Sequence, residues 1–486
     1  MTKTYSEINS KIKNGEAIIL TAEEMIDFVD NNGVKVAAEK IDVVTTGTFG
    51  PMCSSGAFLN FGHSDPPIKF DQLWLNEVEA YHGNAAVDCY IGATKIVDRR
   101  PYNYGGAHVI EDLVSGRTIN LKGKSKTTDC YPLSEIDTTI TIKDINQAIL
   151  CNPRNVYQKY ICAVNSSEKT LYTYMGKLLP NFGNAHFSGS GCLNPLCNDP
   201  NYETIGVGTR IFLGGGVGYI IGEGTQHNPK EGFGTLFLKG DLKKMKPEYL
   251  RGASIENYGI SLFVGVGVPI PILNERLAEA TAIKDEEIET NIIDYGIPRR
   301  DKPILKKTNY KELKSGIINL GKEIRCSSMS SLFYARKIAQ ELKMWLMNGE
   351  FLLNPSAENL SLNRKFKSMR QTSEMNFVTH RPITCFEDTE IKDVAKKIID
   401  KNMNHIIITD KQNRLKGIVT SFDITKAIAE SKEKLAEILT RSVIFTNDNE
   451  PIAIAIRKMK ENNISALPVI DNEQFVKGII TSEDLI

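Results

Sequence analysis

The sequence predicts a mixed α/β (α+β) protein in which a large N-terminal domain precedes a tandem pair of small βαββα domains. Three observations support this prediction. The 486 residues are 41% apolar, which is enough for at least two hydrophobic cores. Strand-like runs such as "AAVDCYIGATKIV" mix with helical runs in the first part of the chain. The segment "KGIVTSFDI", which begins at Lys416, recurs as "KGIITSEDL" at Lys477, so the end of the chain is a duplication.

The charge balance and the cysteine usage narrow the class of protein. The 59 Lys and Arg residues offset 59 Asp and Glu residues, so no net field attracts nucleic acid or an anionic membrane. The longest apolar run, "SLFVGVGVPIPIL", is too short and too rich in Gly and Pro to span a bilayer, and the first residues lack the apolar core of a signal peptide. Nine scattered cysteines do not resemble a disulfide framework. We therefore expect a cytoplasmic protein with reduced thiols, which acts on small molecules or proteins.

The large domain is expected to cover residues 1–355. Its last element is predicted from "SSLFYARKIAQELKMWLMNGEF", in which apolar residues recur at helical spacing before a Gly stop. The following segment, residues 356–375, loses this periodicity and becomes polar and basic, as is typical of a linker. We expect the helix to close the domain and the linker to separate it from the duplicated part.

A glycine-rich run lies in the middle of the large domain. "IFLGGGVGYIIG" follows a strand-like stretch, as a dinucleotide-binding loop would. Its Gly216, Gly218 and Gly222 give the pattern G-x-G-x-x-x-G, in which the last glycine comes one residue too late. The sequence favours tight turns and close backbone packing, and it leaves open the use of backbone N–H groups to hold an anion.

The duplicated part is predicted to form two domains, residues 376–432 and 436–486. Each unit reads as a short strand, an amphipathic helix, an apolar strand, a second strand and an N-capped helix start. With only two copies, the units are expected to close as a two-fold pair. The repeated pattern G-h-h-T-S-x-D at Gly417 and Gly478, where h is an apolar residue, resembles the CBS (cystathionine beta-synthase) domain.

The resemblance to CBS domains implies an adenosyl ligand, such as S-adenosylmethionine or methylthioadenosine, in clefts between the two copies, and a homodimer formed through the pair. It implies that two carboxylates bind the ribose hydroxyls, that two threonines hold sugar or phosphate oxygens, and that four residues line the adenine. These residues are, in that order, Asp423 and Asp484, then Thr420 and Thr481, then Ile383, Thr384, Ile444 and Thr446. The alternative is that Thr-Ser-x-Asp only caps a helix.

Two of the nine cysteines have a local sequence that suits catalysis. Cys130, in "TTDCYPLSEI", follows three lysines, and a nearby ammonium would stabilise its thiolate, although Asp129 acts in the opposite direction. Cys53 lies in the turn-forming stretch "FGPMCSSGAF" after a strand-like run, where loops commonly carry reactive groups. Cys192 and Cys197 are spaced C-x4-C without the second ligand pair that zinc sites generally have, so no metal site is predicted.

Several linked motifs of the large domain resemble the homocysteine biosynthesis family: "FGPMCSSGAFLNFGHSDPPIK", "DCYIGAT", "TDCYPLSEI", "CNPRNVYQKY" and "NDPNYETIGVGTRIFLGGG". The resemblance implies a sulfurtransferase that converts the aldehyde of aspartate semialdehyde, with sulfide or another sulfur donor, to homocysteine. It implies that Cys130 forms a persulfide, that Cys53 is the second characteristic cysteine, and that a small ferredoxin-like iron–sulfur protein supplies two electrons. A persulfide is a potent sulfur nucleophile, and a second thiol can resolve the spent group by exchange.

Other side chains suit the same chemistry. Arg154, in "NPRN", is a candidate clamp for the substrate carboxylate, because guanidinium binds carboxylate through two parallel hydrogen bonds. The alternative is an arginine that organises a local turn. His63 and His108 are candidates for proton transfer.

Two functions of other classes stay open at this point. An NAD-dependent IMP-dehydrogenase-like enzyme also combines a catalytic cysteine, glycine loops and a CBS pair, but in that family the pair is inserted within a barrel rather than appended. A non-catalytic sensor of adenosyl ligands would need only the CBS pair. The presence of both Cys53 and Cys130 argues against the sensor.

Overall fold

The computed structural model describes residues 2–97, 103–298, 302–363, 382–401 and 403–482. The chain divides into two compact units, Met1–Phe366 and Lys367–Ile486. The first unit is built on antiparallel and mixed sheets with helices packed against them, and the second contains two small mixed sheets with helices. The predicted mixed α/β class is therefore confirmed.

The described elements of the first unit are 26 strands and eight helices. The strands are β1 (Ile19–Thr21), β2 (Val43–Thr45), β3 (Thr48–Pro51), β4 (Gly56–Phe61), β5 (Gln72–Leu75), β6 (Val78–Glu79), β7 (Asp88–Gly92), β8 (Ile119–Lys124), β9 (Glu135–Ile140), β10 (Ile145–Asn155), β11 (Cys162–Val164), β12 (Leu171–Thr173), β13 (Gly176–Leu178), β14 (Ala185–Phe187), β15 (Gly206–Val207), β16 (Arg210–Leu213), β17 (Gly216–Glu223), β18 (Leu236–Asp241), β19 (Leu250–Ile255), β20 (Gly259–Gly267), β21 (Pro269–Pro271), β22 (Glu289–Asp294), β23 (Ile304–Asn309), β24 (Ile317–Asn319), β25 (Glu323–Ser328) and β26 (Glu358–Asn359). The helices are α1 (Tyr5–Asn14), α2 (Ala22–Asn32), α3 (Val34–Lys40), α4 (Gly106–Val114), α5 (Pro195–Asn198), α6 (Glu275–Ala280), α7 (Tyr310–Lys314) and α8 (Leu332–Met347).

The second unit repeats one small arrangement of elements. Its described strands are β27 (Thr384–Cys385), β28 (His405–Thr409), β29 (Leu415–Thr420), β30 (Thr446–Asn447), β31 (Ala466–Ile470) and β32 (Val476–Thr481). Its described helices are α9 (Ile391–Lys401), α10 (Ser421–Ala429) and α11 (Ile452–Asn462).

A nine-stranded sheet forms the centre of the first unit, in the order β19-β20-β16-β17-β18-β10-β4-β7, with β3 also paired to β20. β4 lies between β10 and β7 and is antiparallel to both. Gly56 is opposite Cys151, and Phe61 is opposite Ile145. The turn 52–55 connects β3, which pairs near one edge, with β4, which pairs near the other. The sheet therefore curls so that its two edge regions approach each other at this turn.

Two helices cover this sheet. α8 packs against β3 and β20, where it buries Ala335, Ile338 and Leu342, while Phe333 stays exposed. α4 packs against β19 and buries residues that include Leu113. Because apolar residues three and four positions apart share one face of a helix, α8 forms where the sequence predicts the closing helix of the large domain.

A smaller four-stranded sheet, ordered β6-β5-β8-β9, carries the loop that contains Cys130. On β8, Ile119 and Leu121 are buried and the alternating residues are exposed, so the sheet is covered on one face only. β9 is an edge strand with mostly exposed side chains. The loop 125–134 between these strands is therefore at the surface of the unit.

A six-stranded sheet, ordered β23-β22-β11-β14-β25-β24, has a separate core. Cys162 on β11 and Cys326 on β25 are buried on either side of β14, with their sulfur atoms 3.9 Å apart. Both thiols lie in an apolar cluster with Ile292 and Ile324. These cysteines therefore pack as small apolar residues.

The glycine-rich run forms a hairpin between β16 and β17 and does not lead into a helix. Leu213 lies opposite Gly216, so the turn consists of Gly214 and Gly215 alone. Both have positive φ, 60° and 89°, which is the conformation that a two-residue type I′ turn requires. The glycines therefore serve a tight turn, as the sequence favours, rather than a dinucleotide-binding loop.

The first residues of the predicted linker pack on the first unit. β26 pairs with β15, and Leu360 is buried in the main core. The polar residues of this segment do not prevent the pairing of β26 with β15, because strand pairing uses backbone groups only. The packed part of the first unit thus extends beyond the predicted domain end at residue 355.

Each repeat of the second unit has a helix between its first two strands. β27 pairs parallel with β28, which pairs antiparallel with β29, and β30, β31 and β32 repeat this order. Parallel strands need a crossover connection, and α9 and α11 provide it. The order strand, helix, strand, strand is the predicted one. Residues after Ser482, including the candidate ligand residue Asp484, lie outside the described residues.

Candidate active site

A cavity of about 310 Å³ lies at one end of the nine-stranded sheet, beside the turn that joins β3 to β4. It brings together Cys53 and Arg154, two of the predicted site residues. Most of the other side chains that line it are aromatic or otherwise neutral, and they include four tyrosines, Tyr157, Tyr160, Tyr174 and Tyr258. Arg154 is the one charged side chain among the described residues that line the cavity.

The turn 52–55 fixes the position of the thiol. Cys53 is half-buried, and its sulfur atom is 3.3 Å from the hydroxyl of Ser261 on β20. The hydroxyl of Ser54 donates a hydrogen bond to the Arg154 carbonyl at 3.1 Å, which ties the turn to β10. The thiol is therefore held where β3, β10 and β20 converge.

A bulge in β10 directs the arginine. In the pairing of β10 with β18, the register shifts between Asn152 and Asn155, so β10 contains one additional residue there. Arg154 lies in this bulge and lines the cavity, where its Nη1 donates a hydrogen bond to Gln226 Oε1. Its Nε is buried and has no hydrogen-bond partner in the described part of the chain. A buried N–H without an acceptor is costly, so the guanidinium is suited to an anionic group.

Three of the four tyrosines that line the cavity have raised pKa values and are therefore held in the protonated form. Burial raises the pKa of Tyr157 and the pKa of Tyr258. Burial, and then the neighbouring Tyr174, raise the pKa of Tyr160 well above its ordinary value. The hydroxyl of Tyr174 lies 2.5 Å from that of Tyr295, so the phenols form a connected cluster. Neutral phenols donate hydrogen bonds, and the cavity therefore offers proton donors around one thiol and one cation.

Sequence reasoning did not select these tyrosines. Tyr157 and Tyr160 follow Arg154 within the motif "NPRNVYQKY". Their closeness in sequence to a candidate site residue is a signal by which they could have been predicted to line the site. Tyr174 and Tyr258 come from distant segments of the chain, and the folded sheet brings them to the same cavity. Their participation depends on long-range pairing that a single sequence does not reveal.

Cys130 lies outside this cavity and is exposed. Its loop contacts the chain segment that follows β4. The Tyr131 ring stacks on the His63 ring with 6.1 Å between their centres, and Leu133 N donates to Pro67 O at 3.4 Å. The loop is therefore anchored beside the far end of β4.

Cys53 and Cys130 thus lie beyond opposite ends of one strand. Cys53 precedes Gly56, the first residue of β4, whereas the Cys130 loop contacts residues that follow Phe61, the last one. Five residue steps of an extended strand span roughly 17 Å. The structure does not bring the two predicted catalytic cysteines together within one chain.

Other residues considered from the sequence are also placed away from the cavity lining. His108 lies on α4, and burial lowers the pKa of its imidazole. Cys192 and Cys197 are buried, and burial raises the pKa of each thiol to about 12, so both are protonated at neutral pH. Among the described residues, no group of three or more His, Cys, Asp or Glu side chains is arranged to hold a metal ion.

In the second unit, a cleft of about 300 Å³ lies between the two repeats. It brings together Thr420 and Ile444, both expected at a ligand site, with His405 and Ser465, which sequence reasoning did not select. His405 Nε2 lies 3.0 Å from the Ser465 hydroxyl, and burial lowers the pKa of the imidazole. The cleft therefore combines an apolar wall with hydroxyl groups and an imidazole that burial favours in its neutral form.

Asp423 caps α10. One of its carboxylate oxygens accepts hydrogen bonds from the backbone N–H of Thr420 at 2.8 Å and from the Thr420 hydroxyl at 2.7 Å. Its own N–H donates to that hydroxyl at 3.2 Å. Asp423 therefore has the helix-capping role that was the alternative to ligand binding, and its Oδ2 atom accepts the capping hydrogen bonds.

The remaining predicted ligand residues lie outside the lining of this cleft. Ile383 packs on the core of the first repeat, and Thr384 is the first residue of β27. Thr446 is buried within the second repeat, and Thr481 is the last residue of β32. One cleft, with Thr420 and Ile444, is therefore formed by the described residues.

Comparison with known proteins identifies the family. The sequence profile of "Homocysteine biosynthesis enzyme, sulfur-incorporation" matches residues 17–353, and the CBS domain profile matches residues 374–430 and 435–486. The L-aspartate semialdehyde sulfurtransferases of Methanocaldococcus jannaschii and Methanosarcina acetivorans are each 52% identical to this chain, over 99% of this chain and 98% of each relative. A solved CBS domain pair in complex with 5′-methylthioadenosine and S-adenosyl-L-methionine is 41% identical, covering 23% of this chain and 90% of that chain with a TM-score of 0.22.

The fold and the cavity define a thiol-containing enzyme domain with an appended CBS pair. The chain belongs to the homocysteine biosynthesis family of sulfur-incorporating enzymes. The predictions of this family, of a sulfurtransferase and of the CBS pair are confirmed. Family membership argues against a non-catalytic sensor, and the glycine hairpin gives no support to the NAD-dependent alternative. The described helices include none with the length and hydropathy of a membrane span.

Alkylation should separate the cysteines by their exposure. Brief treatment of the native protein with iodoacetamide is expected to label Cys130 first and Cys53 more slowly, because thiols react according to their access to solvent. The buried cysteines should react only after unfolding; they are Cys89, Cys162, Cys192, Cys197, Cys326 and Cys385. Peptide mass spectrometry with and without guanidinium chloride measures the difference. Native labelling of a buried cysteine at the rate of Cys130 would contradict this placement.

Proposed function

We propose that this chain is an L-aspartate semialdehyde sulfurtransferase that produces L-homocysteine. The overall reaction joins an aldehyde and hydrogen sulfide, takes up two electrons and two protons, and releases a thiol and water. Cys130 takes the sulfur from a sulfane donor such as a polysulfide and carries it as a persulfide. Two further electrons reduce that sulfane atom to the level of sulfide, so the route through Cys130 takes up four electrons in all. A small ferredoxin-like iron–sulfur protein supplies the electrons. Two relatives of this name, 52% identical over 99% of the chain, support the proposal.

The cavity with one thiol, one guanidinium and neutral aromatic side chains is the observation that carries the proposal. Aspartate semialdehyde presents a carboxylate, an ammonium and an aldehyde on a four-carbon chain. Arg154, whose buried Nε lacks a partner, binds the carboxylate through its guanidinium fork. Tyr157 and Phe233, with ring centres 5.3 Å apart, offer aromatic faces to the ammonium. The aldehyde then lies toward Cys53.

Loss of water from the carbon–sulfur adduct needs a proton donor. Addition of sulfur to the aldehyde leaves its oxygen as a hydroxyl, and this hydroxyl departs as water only when it receives a proton. Tyr258 lines the cavity, and burial keeps its phenol protonated by raising its pKa. The tyrosines therefore supply hydrogen bonds and a proton on the oxygen side, while the thiol acts on the carbon side.

The exposure of Cys130 supports a role in loading sulfur. Thiol exchange with a sulfur donor requires that the donor reach the sulfur atom. Cys130 is the one exposed cysteine of the nine in this chain. A donor in solution or on another protein can therefore reach it without entering the substrate cavity. The cytoplasmic location stays a prediction from the sequence.

Cys130→Ser is expected to reduce homocysteine formation to background, because a hydroxyl cannot carry sulfane sulfur. The assay supplies aspartate semialdehyde, polysulfide and a low-potential chemical reductant, and circular dichroism compares the folds. Cys151→Ser is the matched control, since Cys151 is half-buried on β10 and does not line the cavity. Turnover by Cys130→Ser near the wild-type rate would remove Cys130 from the mechanism.

Arg154→Lys is expected to raise KM for aspartate semialdehyde about ten- to a hundred-fold with a smaller change in kcat, since lysine keeps the charge but loses the paired donors. Steady-state kinetics with varied substrate measures both constants. Arg276→Lys is the control, because Arg276 is exposed and pairs with Glu203 at the surface. An unchanged KM in Arg154→Lys would mean that Arg154 only organises the bulge.

The CBS pair extends the proposal to regulation by an adenosyl compound, S-adenosylmethionine or methylthioadenosine. In the cleft, Ile444 packs on the adenine, and the Thr420 and Ser465 hydroxyls bind the ribose. Asp423, which accepts a hydrogen bond from the Thr420 hydroxyl, binds the ribose from beside this lining. A ligand shifts the catalytic unit only by its differential affinity for two states, typically about 1 to 3 kcal/mol. We therefore expect modulation of about five-fold to a hundred-fold and not an absolute switch.

An exposed apolar face on the second unit supports a homodimer formed through the CBS pair. Ile399 on α9 and Phe422 and Ile428 on α10 are 76%, 74% and 64% exposed, respectively, on helices that pack against each other. Apolar side chains clustered on a surface mark an interaction site more often than a free face. A second copy of the pair covers them in the proposed dimer.

Ile444→Trp is expected to weaken binding of methylthioadenosine to the full chain by at least about ten-fold, because overpacking fills the cleft. Isothermal calorimetry measures the binding. Ile383→Trp is the matched control, since Ile383 occupies the equivalent position of the first repeat and does not line this cleft. If the wild-type chain binds no adenosyl compound at millimolar concentration, the regulatory proposal fails and the pair is better regarded as a dimerisation element.

A further inference from the structure

Within one chain, the length of β4 separates Cys130 from the cavity that contains Cys53, so sulfur cannot pass directly between them. Between Gly56 and Phe61, β4 spans roughly 17 Å, with Cys53 before one end and the Cys130 loop beside the other. β4 is hydrogen-bonded to β10 and to β7, so it cannot shorten while the sheet is intact. A sulfur atom passes from one thiol to another only when the two sulfur atoms meet.

Movement of the Cys130 loop does not close this gap. Ser125 N donates to Ser134 O at 2.8 Å across the base of the loop, and Lys126 N donates to a carboxylate oxygen of Asp71. Nearer the tip, Thr128 and Tyr131 exchange two backbone hydrogen bonds of 3.0 Å each. The tip would have to give up most of these bonds to travel the length of β4.

The described thiols beside β4 do not form a relay inside one chain. Cys89 on β7 and Cys151 on β10 lie on the strands that flank β4. Burial raises the pKa of Cys89 to about 12, and it also raises the pKa of Cys151. Because exchange requires a thiolate, both are poor acceptors for a sulfane atom.

We infer that sulfur passes between two copies of the chain, from the Cys130 persulfide of one copy to Cys53 of the other. The inference rests on the proposed function. The Cys53 thiolate attacks the outer sulfur of the persulfide, an S–S bond to Cys53 forms, the S–S bond to Cys130 breaks, and Cys130 leaves as a thiolate. No electron enters or leaves in this exchange. A polysulfide or another persulfide loads Cys130 by the same exchange, so no separate oxidant is required.

The surface around Cys130 suits such an encounter. Residues 127–130 are all exposed, so the tip can enter a cavity of a second molecule. The neighbouring β9 is an edge strand, and on one side its backbone groups pair with no other described strand, so they can meet another chain. At the receiving end, Cys53 is half-buried within the substrate cavity, beside Arg154. The complete catalytic site therefore takes one thiol from each copy.

Complementation of two inactive variants tests this inference. Cys53→Ser keeps Cys130, and Cys130→Ser keeps Cys53, so a mixed assembly has one complete pair of thiols only if they act between copies. Random mixing of symmetric dimers makes half of them mixed, each with one of two sites intact, so about one quarter of wild-type activity is expected. The variants are co-expressed with different affinity tags, and homocysteine is measured with aspartate semialdehyde, polysulfide and a low-potential reductant.

A transfer experiment provides a second readout that does not depend on turnover. Cys53→Ser is loaded with polysulfide, freed of excess reagent and mixed with Cys130→Ser, and mass spectrometry should then find the added sulfur atom on Cys53 of the second variant. If each folded variant is inactive alone and the mixture shows neither activity nor transfer, the inference is overturned. Full activity of Cys130→Ser or of Cys53→Ser alone would instead overturn the role that the proposed function gives to that thiol.

Discussion

The pairing of β4 with β10 on one side and β7 on the other is the constraint on which the arrangement of this enzyme depends. A strand hydrogen-bonded on both edges keeps its length, because shortening it would break two ladders at once. The same pairing sets the bulge of β10 against the turn 52–55, so that Arg154 and Cys53 share a cavity. One strand thus assembles the cavity of Cys53 and Arg154 and also separates it from the exposed thiol of Cys130.

The low charge of the cavity makes its single cation effective. Its described lining includes no carboxylate, and the phenols of Tyr157, Tyr160 and Tyr258 stay neutral because burial raises their pKa values. A guanidinium in such surroundings is poorly screened and attracts an anionic group more strongly than it would in water. In the proposed function, a small amino acid with an aldehyde end would therefore be oriented by one contact at its carboxylate.

Much of the fold is readable from the sequence where the signal is local or repeated. The duplication starting at Lys416 and Lys477 predicts the CBS pair, and helical spacing predicts α8. The thiol motifs point to Cys53 and Cys130, but their separation follows from strand register between distant segments, which no local pattern encodes. The tyrosine cluster is hidden for the same reason. β26 and the buried Leu360 lie beyond the predicted domain end, and the sequence gives little sign of them because a two-residue strand in polar sequence carries almost no periodicity.

The unequal exposure of the cysteines determines which thiol of the enzyme is oxidised first. Oxidants convert accessible thiols first to sulfenic acid, which exchange reverses, and then to sulfinic and sulfonic acids, which persist. Cys130 meets an oxidant before the buried cysteines that pack in the cores do. A preparation kept in air would therefore lose first the thiol that we propose carries sulfur, while the buried cysteines in the cores stay intact. A thiol reductant would reverse the sulfenic stage of this damage but not the sulfinic or sulfonic stage.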